Sequence, residues 1–118
     1  MLNLIQNLRA EKYIMKIGYV YIMSNFKRTT FYTGVTNDLQ RRVAEHKEGV
    51  GSAFTRRYKL HHLVYFERIL DIEQAIKRET QLKNWKRDWK IDLIKSVNPE
   101  MIDLINVGLP ADSESSSE

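Results

Sequence analysis

The sequence predicts a small α+β domain in which helices flank a three-stranded antiparallel sheet, in the order β-β-α-β-α-α. Three observations lead to this class. Three short segments rich in aromatic and β-branched residues have the composition of strands. Three longer segments carry apolar residues at helical spacing and begin near aspartate or asparagine residues that can cap a helix. A chain of 118 residues can bury one hydrophobic core but not a second.

The predicted elements follow one another without long gaps. They are a strand at residues 19–23, a polar turn at 24–30, a strand at 31–36, a helix from Asn37 or Asp38 to about Glu48, a basic loop at 51–59, a strand at 62–69, a helix that Asp71 caps and that runs to about Lys86, and a helix that Asp88 opens and that ends near Val97. Gly49 and Gly51 end the first helix, and Pro99 prevents further helix beyond the last one.

The chain divides into one domain and two flanking segments. We assign residues 17–105 to the domain, residues 1–16 to an N-terminal extension and residues 106–118 to a disordered, acidic and serine-rich tail. The absence of cysteine excludes disulfides and thiolate metal sites. No apolar segment is long enough for a membrane span or a signal peptide. We therefore expect a cytoplasmic protein without a membrane partner, one that could associate with the nucleoid.

Positive charge is concentrated in the predicted domain. Residues 16–95 contain 17 Lys and Arg residues but nine Asp and Glu residues, whereas the whole chain has a formal net charge of +4. A basic surface attracts polyanions, and nucleic-acid backbones are the commonest polyanions in a cell. A solvated basic surface without a partner is an equally good interpretation of the charge alone.

Two polar side chains fall beside the apolar stripe of the first helix. Leu39 and Val43 define that stripe, and Arg42 and His46 follow Leu39 by three and seven residues. Arg42 can belong to a functional site. It can also lie at the edge of the stripe and cover apolar neighbours with its stem.

A glutamate interrupts the apolar face of the helix that follows the third strand. That face is formed by Ile72, Ala75, Ile76 and Leu82. Burying a carboxylate is costly unless a cation accompanies it. Glu79 is therefore either half of a salt bridge, for example with Arg42, or a metal ligand that faces a cleft.

The hairpin adds two tyrosines and a glycine on one face of the sheet. If Ile22 pairs with Phe31, then Tyr21 lies opposite Tyr32, and Gly34 shares their face. The tyrosines can be ordinary core residues or functional ones. A glycine within a strand suggests that another chain or a ligand comes close. With the polar helix residues, this face would supply the charge neutralisation, proton acceptor and metal anchor that phosphoryl chemistry requires.

These residues resemble the motifs of the GIY-YIG nuclease superfamily, and in particular its small stand-alone bacterial members. Residues 19–21 and 32–34 resemble the two elements that give the superfamily its name. Residues 34–46 resemble the strand-to-helix segment with its arginine and histidine, and residues 73–83 resemble the helix whose glutamate holds the metal. The similarity extends over about residues 17–95 and implies the same three-stranded fold.

The resemblance implies a catalytic site made of Tyr21, Tyr32, Arg42, His46 and Glu79. Glu79 would bind one Mg²⁺ or Mn²⁺ ion, and Arg42 would neutralise charge on the scissile phosphate. Tyr21, in preference to Tyr32, would help deprotonate or orient the attacking water, and His46 would hold a tyrosine or relay its proton. Because an ordinary phenol has a pKa near 10, nearby cations would have to lower it.

Five basic residues are predicted to contact nucleic acid: Arg41, Arg56, Arg57, Lys59 and Lys83. Several family members place a lysine after the glycine of the second element, where this chain has Val35. The cations of the basic loop are candidates to replace that lysine, although a solvated loop explains them equally well.

Two other pairs of residues carry weaker signals. His61 and His62 could suggest a metal site, but adjacent strand residues point to opposite faces, so we interpret them as structural. Trp85 and Trp89 are spaced to share one helix face and could stack on bases. Burial at a helix junction is the interpretation we favour for them.

The predicted function is that of a metal-dependent endonuclease that hydrolyses phosphodiester bonds in nucleic acid, DNA in preference to RNA, during repair, recombination or structure-selective cleavage. Its products would carry 5′-phosphate and 3′-hydroxyl ends. No small-molecule cofactor is expected, and the oligomeric state is left open. The alternative is a nucleic-acid-binding module with the same fold and little or no catalysis. An interaction adaptor that uses the basic loop and the tryptophans is a third hypothesis.

Overall fold

The computed structural model describes residues 16–107, and its architecture confirms the predicted class. Within this range the elements are β1 (Gly18–Ser24), β2 (Phe31–Thr36), α1 (Leu39–Glu48), α2 (Ala53–Arg57), β3 (His62–Ile69), α3 (Ile72–Lys83), α4 (Arg87–Val97) and a 3-10 helix (Leu104–Val107). The predicted extension (residues 1–16) and the predicted tail (residues 106–118) lie outside the described residues, except for residue 16 and for residues 106 and 107, which end the 3-10 helix. Among the helices in the described range, none combines the length and apolar character that a bilayer crossing requires.

The sheet has the strand order β2-β1-β3, with both neighbours antiparallel to the central strand. The predicted hairpin register is wrong by two residues, because Tyr21 pairs with Gly34 and Met23 pairs with Tyr32. Asn25 explains the tighter turn, since its side-chain oxygen accepts hydrogen bonds from the backbone N–H groups of the fourth and fifth residues after it. A slip of two residues keeps every side chain on its predicted face.

Each face of the sheet covers its own part of the core. One face packs against α1 through Tyr19, Tyr21, Met23, Leu39, Val43, Leu60 and Leu63. The opposite face packs against α3 and α4 through Val20, Ile22, Val64, Ala75, Leu82 and Ile94. Consecutive residues of β1 alternate between the two sets, as the pleat of a strand requires. Because β1 is buried on both faces, it is a rigid base for the side chains that it carries.

The segment predicted as a basic loop contains the short helix α2, which is a correction. Ser52 caps this helix, since its hydroxyl oxygen accepts a hydrogen bond from the Thr55 backbone N–H. A serine before a helix is a known start signal. Five residues are too few to show helical periodicity, so the sequence pattern did not reveal the element.

The ends of the last two helices also differ from the prediction. Helix α3 ends at Lys83 with Asn84 as its C-terminal cap, three residues before the predicted end. Helix α4 begins at Arg87, so Asp88 lies inside its first turn and does not open it. An acidic residue in that position still favours the helix, because it faces the positive end of the helix dipole.

The segment that follows α4 and contains Asp103, which we call the C-terminal strap, holds α1 against β3. The carboxylate of Asp103 accepts hydrogen bonds from the backbone N–H of Leu63 and from the ammonium group of Lys47, at 3.0 and 2.6 Å. Lys47 also donates to the carbonyl of His61 at 2.7 Å. Since Lys47 directly follows the candidate site residue His46, the strap fixes the end of the helix that carries this histidine.

Candidate functional site

A chain of hydrogen bonds runs from β1 through α1 to α2. The Tyr21 hydroxyl and His46 Nε2 lie 2.9 Å apart, and His46 Nδ1 and Thr55 Oγ1 lie 3.1 Å apart. The Thr55 hydroxyl donates its proton to the carbonyl of Ser52 at 3.0 Å, so its oxygen must accept from His46 Nδ1–H. It follows that His46 Nε2 is the acceptor and that Tyr21 donates to it.

Burial controls the protonation of both members of the central pair. Tyr21 and His46 are each 1% exposed. Burial raises the pKa of Tyr21 to about 12, although a hydrogen bond from Arg42 acts in the opposite direction. Burial and the charge of Arg42 lower the pKa of His46 to about 4. The expectation that nearby cations lower the pKa of this tyrosine is therefore wrong for the free protein, because desolvation outweighs the one guanidinium beside it.

The stability of the fold should depend on pH through His46. An unfolded histidine titrates near pH 6.5, and His46 in the folded chain titrates near pH 4. Between these two pH values the unfolded state binds more protons than the folded state. The contribution of His46 to the free energy of unfolding is therefore fully present above pH 6.5 and decreases as the pH falls toward 4. The full loss is on the order of 3 kcal/mol.

Urea denaturation of the wild type and of His46→Gln, followed between about pH 4 and 7, measures this dependence. The variant should show a flatter profile, because the titrating group is gone. An equal slope in wild type and His46→Gln would mean that another group causes the acid sensitivity.

Gly34 gives room to the ring of Tyr21. A Cβ atom at position 34 would lie 2.5 Å from the Tyr21 hydroxyl oxygen and 2.6 Å from the ring carbon that carries it. The interpretation that another chain or a ligand approaches this glycine is thus corrected, because a side chain of the same hairpin does so. Gly51 has the same role toward His46, whose ring occupies the space of a side chain there.

The substitution Gly34→Ala should destabilise the protein by about 1–3 kcal/mol, because the ring of Tyr21 must leave its place. Thermal or urea denaturation measures the effect. In a Tyr21→Ala background the same substitution should cost much less, since no ring is left to collide with. An equal cost in both backgrounds would assign the effect to the strand backbone.

Arg42 lies at the edge of the buried stripe and faces the same tyrosine. Its Nη1 atom is 2.7 Å from a carboxylate oxygen of Glu45, and the side chain also forms a hydrogen bond with the Tyr21 hydroxyl. These partners raise the pKa of the guanidinium. Because the carboxylate engages a single amino nitrogen, the guanidinium keeps further donors for an anion.

Glu79 is largely buried and lies close enough to Tyr21 for its charge to act on that phenol. Its side chain is 13% exposed, and its negative charge is among the groups that raise the pKa of Tyr21. Its salt bridge is with Lys83 at 2.7 Å, not with Arg42 as the sequence suggested. Ile76, assigned to the apolar face of this helix, is 48% exposed, so the buried face is narrower than predicted.

Lys83 pairs with this carboxylate, and Lys90 lies close enough to Lys83 to be affected by its charge. The salt bridge with Glu79 is the main reason why the pKa of Lys83 is raised, and the charge of Lys83 also acts on Tyr32. Burial and the charge of Lys83 lower the pKa of the half-buried Lys90. Val35 packs on the opposite face, against Val20 and its neighbours. A cation beside Tyr32 is thus supplied by α3, not by the position after the glycine.

The residues present fit a single hard divalent ion. Among the described residues, no three His, Asp or Glu side chains group together as a protein-only metal site. Mg²⁺ in phosphoryl-transfer sites does not need such a group, because it binds one or two carboxylates and takes its other ligands from water and phosphate. Glu79 can supply the one carboxylate.

The structure brings Tyr21, Tyr32, Arg42 and His46 together, and it places Glu79 within electrostatic range of Tyr21. The predicted nucleic-acid contacts are spread more widely. The rings of Tyr21 and Tyr32 each lie 5.6 Å from that of His46. Arg41 is exposed and forms a long ion pair with Glu45, at 3.8 Å. In the segment that was predicted to be a basic loop, Arg56 and Arg57 lie on α2 and Lys59 lies two residues after its end.

Sequence reasoning missed the residues that support the site from α2. Thr55 and Ser52 complete the hydrogen-bond chain, and Phe54 stacks on Tyr32 with ring centroids 6.3 Å apart. The Ser52 cap was the one signal that could have revealed them. Of the two weaker pairs, His62 packs edge-on against Phe26. Trp85 packs against the core as we favoured, whereas Trp89 is 52% exposed and lies outside it.

Two tyrosines, a neutral histidine, an arginine and a largely buried glutamate lie on and beside an antiparallel sheet, an arrangement that fits the motifs of a GIY-YIG domain. The family model of the GIY-YIG catalytic domain matches residues 17–92. The chain therefore belongs to this family of nucleases, which generally use a divalent metal and act on nucleic acid, and the resemblance seen in the sequence is confirmed.

Similar bacterial proteins share most of their length with this chain. The UPF0213 protein of Clostridium perfringens is 39% identical over 80 residues, which are 68% of this chain and 85% of the relative. That of Syntrophus aciditrophicus is 37% identical over 87 residues, 73% of this chain and 98% of the relative. A solution NMR structure of a Bacillus halodurans UPF0213 protein is 30% identical, covers 70% of this chain and 86% of that one, and has a TM-score of 0.46. These names state no activity.

Proposed function

We propose that the protein is a metal-dependent endonuclease that hydrolyses phosphodiester bonds in DNA. The observation that carries this proposal is the convergence of Tyr21, His46, Arg42 and Glu79, in which a largely buried carboxylate and a guanidinium both act on one phenol. A domain that only bound nucleic acid would have no need to desolvate a carboxylate where phosphate must approach.

Glu79 would hold one Mg²⁺ or Mn²⁺ ion. Bound there, the ion supplies Lewis-acid polarisation of the scissile phosphate. Lys83, which now pairs with this carboxylate at 2.7 Å, would exchange that partner for the phosphate and add positive charge to its binding. Arg42 binds the non-bridging oxygens and stabilises the charge that develops on them.

Tyr21 orients the attacking water, and His46 receives the proton. As the water oxygen attacks phosphorus, the water proton moves to the Tyr21 oxygen and the phenolic proton moves to His46 Nε2, 2.9 Å away. The hydrogen bond from Arg42 stabilises negative charge on that oxygen. The charge of a bound phosphate favours the imidazolium, which offsets the low pKa of His46 in the free protein. The bond between phosphorus and the 3′-oxygen breaks, and the leaving oxygen takes a proton from solvent water, which leaves 5′-phosphate and 3′-hydroxyl ends.

A panel of nucleic acids tests the proposal. Single-stranded, duplex, flapped and junction substrates, as DNA and as RNA, are incubated with Mg²⁺, with Mn²⁺ and with EDTA, and product ends are identified by phosphatase and ligase treatment. We expect ion-dependent cleavage of DNA with 5′-phosphate ends. Binding without cleavage of any substrate under both ions would favour the inactive binding module instead. Binding that is insensitive to salt would favour the adaptor, because phosphate contacts weaken with ionic strength.

A further inference from the structure

A row of aromatic rings leads out of the candidate site along α2. The rings of Tyr32 and Phe54 are stacked, with centroids 6.3 Å apart and planes inclined by 30°. Phe54 is followed by Tyr58, whose ring centroid is 4.9 Å away. We call Tyr32, Phe54 and Tyr58 the aromatic row. It starts at a proposed catalytic residue and ends on the surface.

The outer two rings of the row are open to solvent. Phe54 and Tyr58 are each 43% exposed, although they belong to a segment of 12 residues whose core contacts are made by Thr55 and Leu60. Single exposed apolar residues are ordinary, but adjoining exposed rings beside a cleft are typical of a binding surface.

Every charged residue in the segment that carries the two outer rings is positive. Residues 49–60 contain Arg56, Arg57 and Lys59 and no acidic residue. All three cations are exposed, and the guanidinium of Arg57 lies over the ring of Tyr58 at 5.4 Å. The partner that matches alternating π faces and cations is a chain of flat rings joined by anions, which is a polynucleotide strand.

We propose that Phe54 and Tyr58 form a stacking subsite for one unstacked base of the strand whose phosphate enters the site. The inference rests on the proposed function and adds to it a requirement on the substrate. A base can reach these rings only after it has left its stack in the duplex, so the strand must be locally unpaired or must be opened by the enzyme. Phosphate recognition by Arg42 and base recognition by Phe54 then act on neighbouring parts of one strand.

The test compares two strands that differ only in their bases. A fluorescent oligothymidine and an abasic strand of the same length carry the same number of phosphates, so their electrostatic attraction to the protein is the same. Affinities are measured by fluorescence anisotropy in EDTA, which prevents metal-dependent cleavage. The wild type should prefer the strand with bases by about 5- to 100-fold, the range expected for one stacked base.

The variant Phe54→Leu/Tyr58→Leu should lose this preference and keep the wild-type affinity for the abasic strand. Leucine keeps apolar packing beside Tyr32, and thermal denaturation checks that the variant is folded. Arg56→Gln is the matched control on the same helix, and it should weaken binding of both strands by the same factor, because it removes a charge and no ring.

Three results would overturn the proposal. They are a preference that survives in the double variant, a preference that is lost in Trp89→Leu instead, and binding of neither strand by the wild type. The outcome of the cleavage panel is independent of the outcome of this binding experiment. A protein that cuts DNA without a base preference refutes the subsite alone, and one that prefers bases but never cuts refutes the nuclease alone.

Discussion

Glu79→Gln is expected to lower the rate of metal-dependent cleavage by on the order of 10³-fold, which is what the loss of several kcal/mol of metal-ion catalysis amounts to. Glutamine has the same shape, but its neutral amide is a poor ligand for Mg²⁺. The fold should persist, because the amide oxygen can still accept a hydrogen bond from Lys83, which now pairs with the carboxylate at 2.7 Å. Cleavage rates at saturating DNA measure the effect.

Metal affinity supplies a second readout for this variant. Titration with Mn²⁺, followed by the loss of its free EPR signal, should show weak binding to the wild type and weaker binding to Glu79→Gln. Glu73→Gln on the same helix is the control, because Glu73 is exposed in the first turn and should leave both rate and affinity unchanged. Full activity of Glu79→Gln would show that Glu79 does not bind the catalytic metal ion.

Replacing Arg42 by methionine should reduce the cleavage rate by about 10²–10³-fold, the usual effect of removing one donor to a developing oxyanion. Arg42→Lys should recover part of the rate, because lysine restores the charge but not the planar fork. Arg42→Met also removes a charge that lowers the pKa of His46, the proposed proton acceptor, so the acid limb of its pH profile of cleavage should move to higher pH. Single-turnover rates over a range of pH measure both effects.

Arg41 is the matched control for this prediction. It is adjacent in sequence and pairs with the same Glu45, but its side chain is 59% exposed. Arg41→Met should lower DNA affinity slightly, in a salt-dependent way, and leave the single-turnover rate unchanged. Equal rate losses in the two methionine variants would show that Arg42 acts only through the general positive charge of the surface.

The sequence predicted the parts of the site that depend on periodicity. His46 follows Leu39 by seven residues, which places it on the buried stripe of α1, and it is indeed among the most buried side chains. Strands β2 and β3 have the predicted bounds, because their composition and their flanking turns agree. The faces of Tyr21 and Tyr32 were also predictable, since face depends only on odd or even position in a strand.

The partners of the charged residues could not be predicted in the same way. A salt bridge between Glu79 and Arg42 was the natural guess, because both interrupt apolar faces. In the structure each pairs with a neighbour on its own helix, Lys83 and Glu45 respectively. Such pairs three or four residues apart need no tertiary geometry. The hairpin register failed for a different reason: alternation repeats every two residues, so it cannot detect a slip of two.

The direction of the shift in the Tyr21 pKa could not be predicted from the sequence either. The presence of Arg42 was visible and favours a lower pKa, but the depth of burial that outweighs it is a property of the packed domain. The role of Gly34 could not be predicted for a related reason. Its close neighbour is the ring of Tyr21, which lies directly across the hairpin only in the observed register, and the sequence pattern predicted a different register.

The hydrogen bonds from Tyr21 through His46 to Thr55 tie together three segments that are separated in the chain by 25 and nine residues. None of these segments can orient the imidazole by itself, so partial unfolding of any one of them dismantles the candidate site. Enzymatic activity in increasing urea should consequently disappear together with the far-UV circular dichroism signal, in a single cooperative transition, without an earlier stage in which a folded protein is inert.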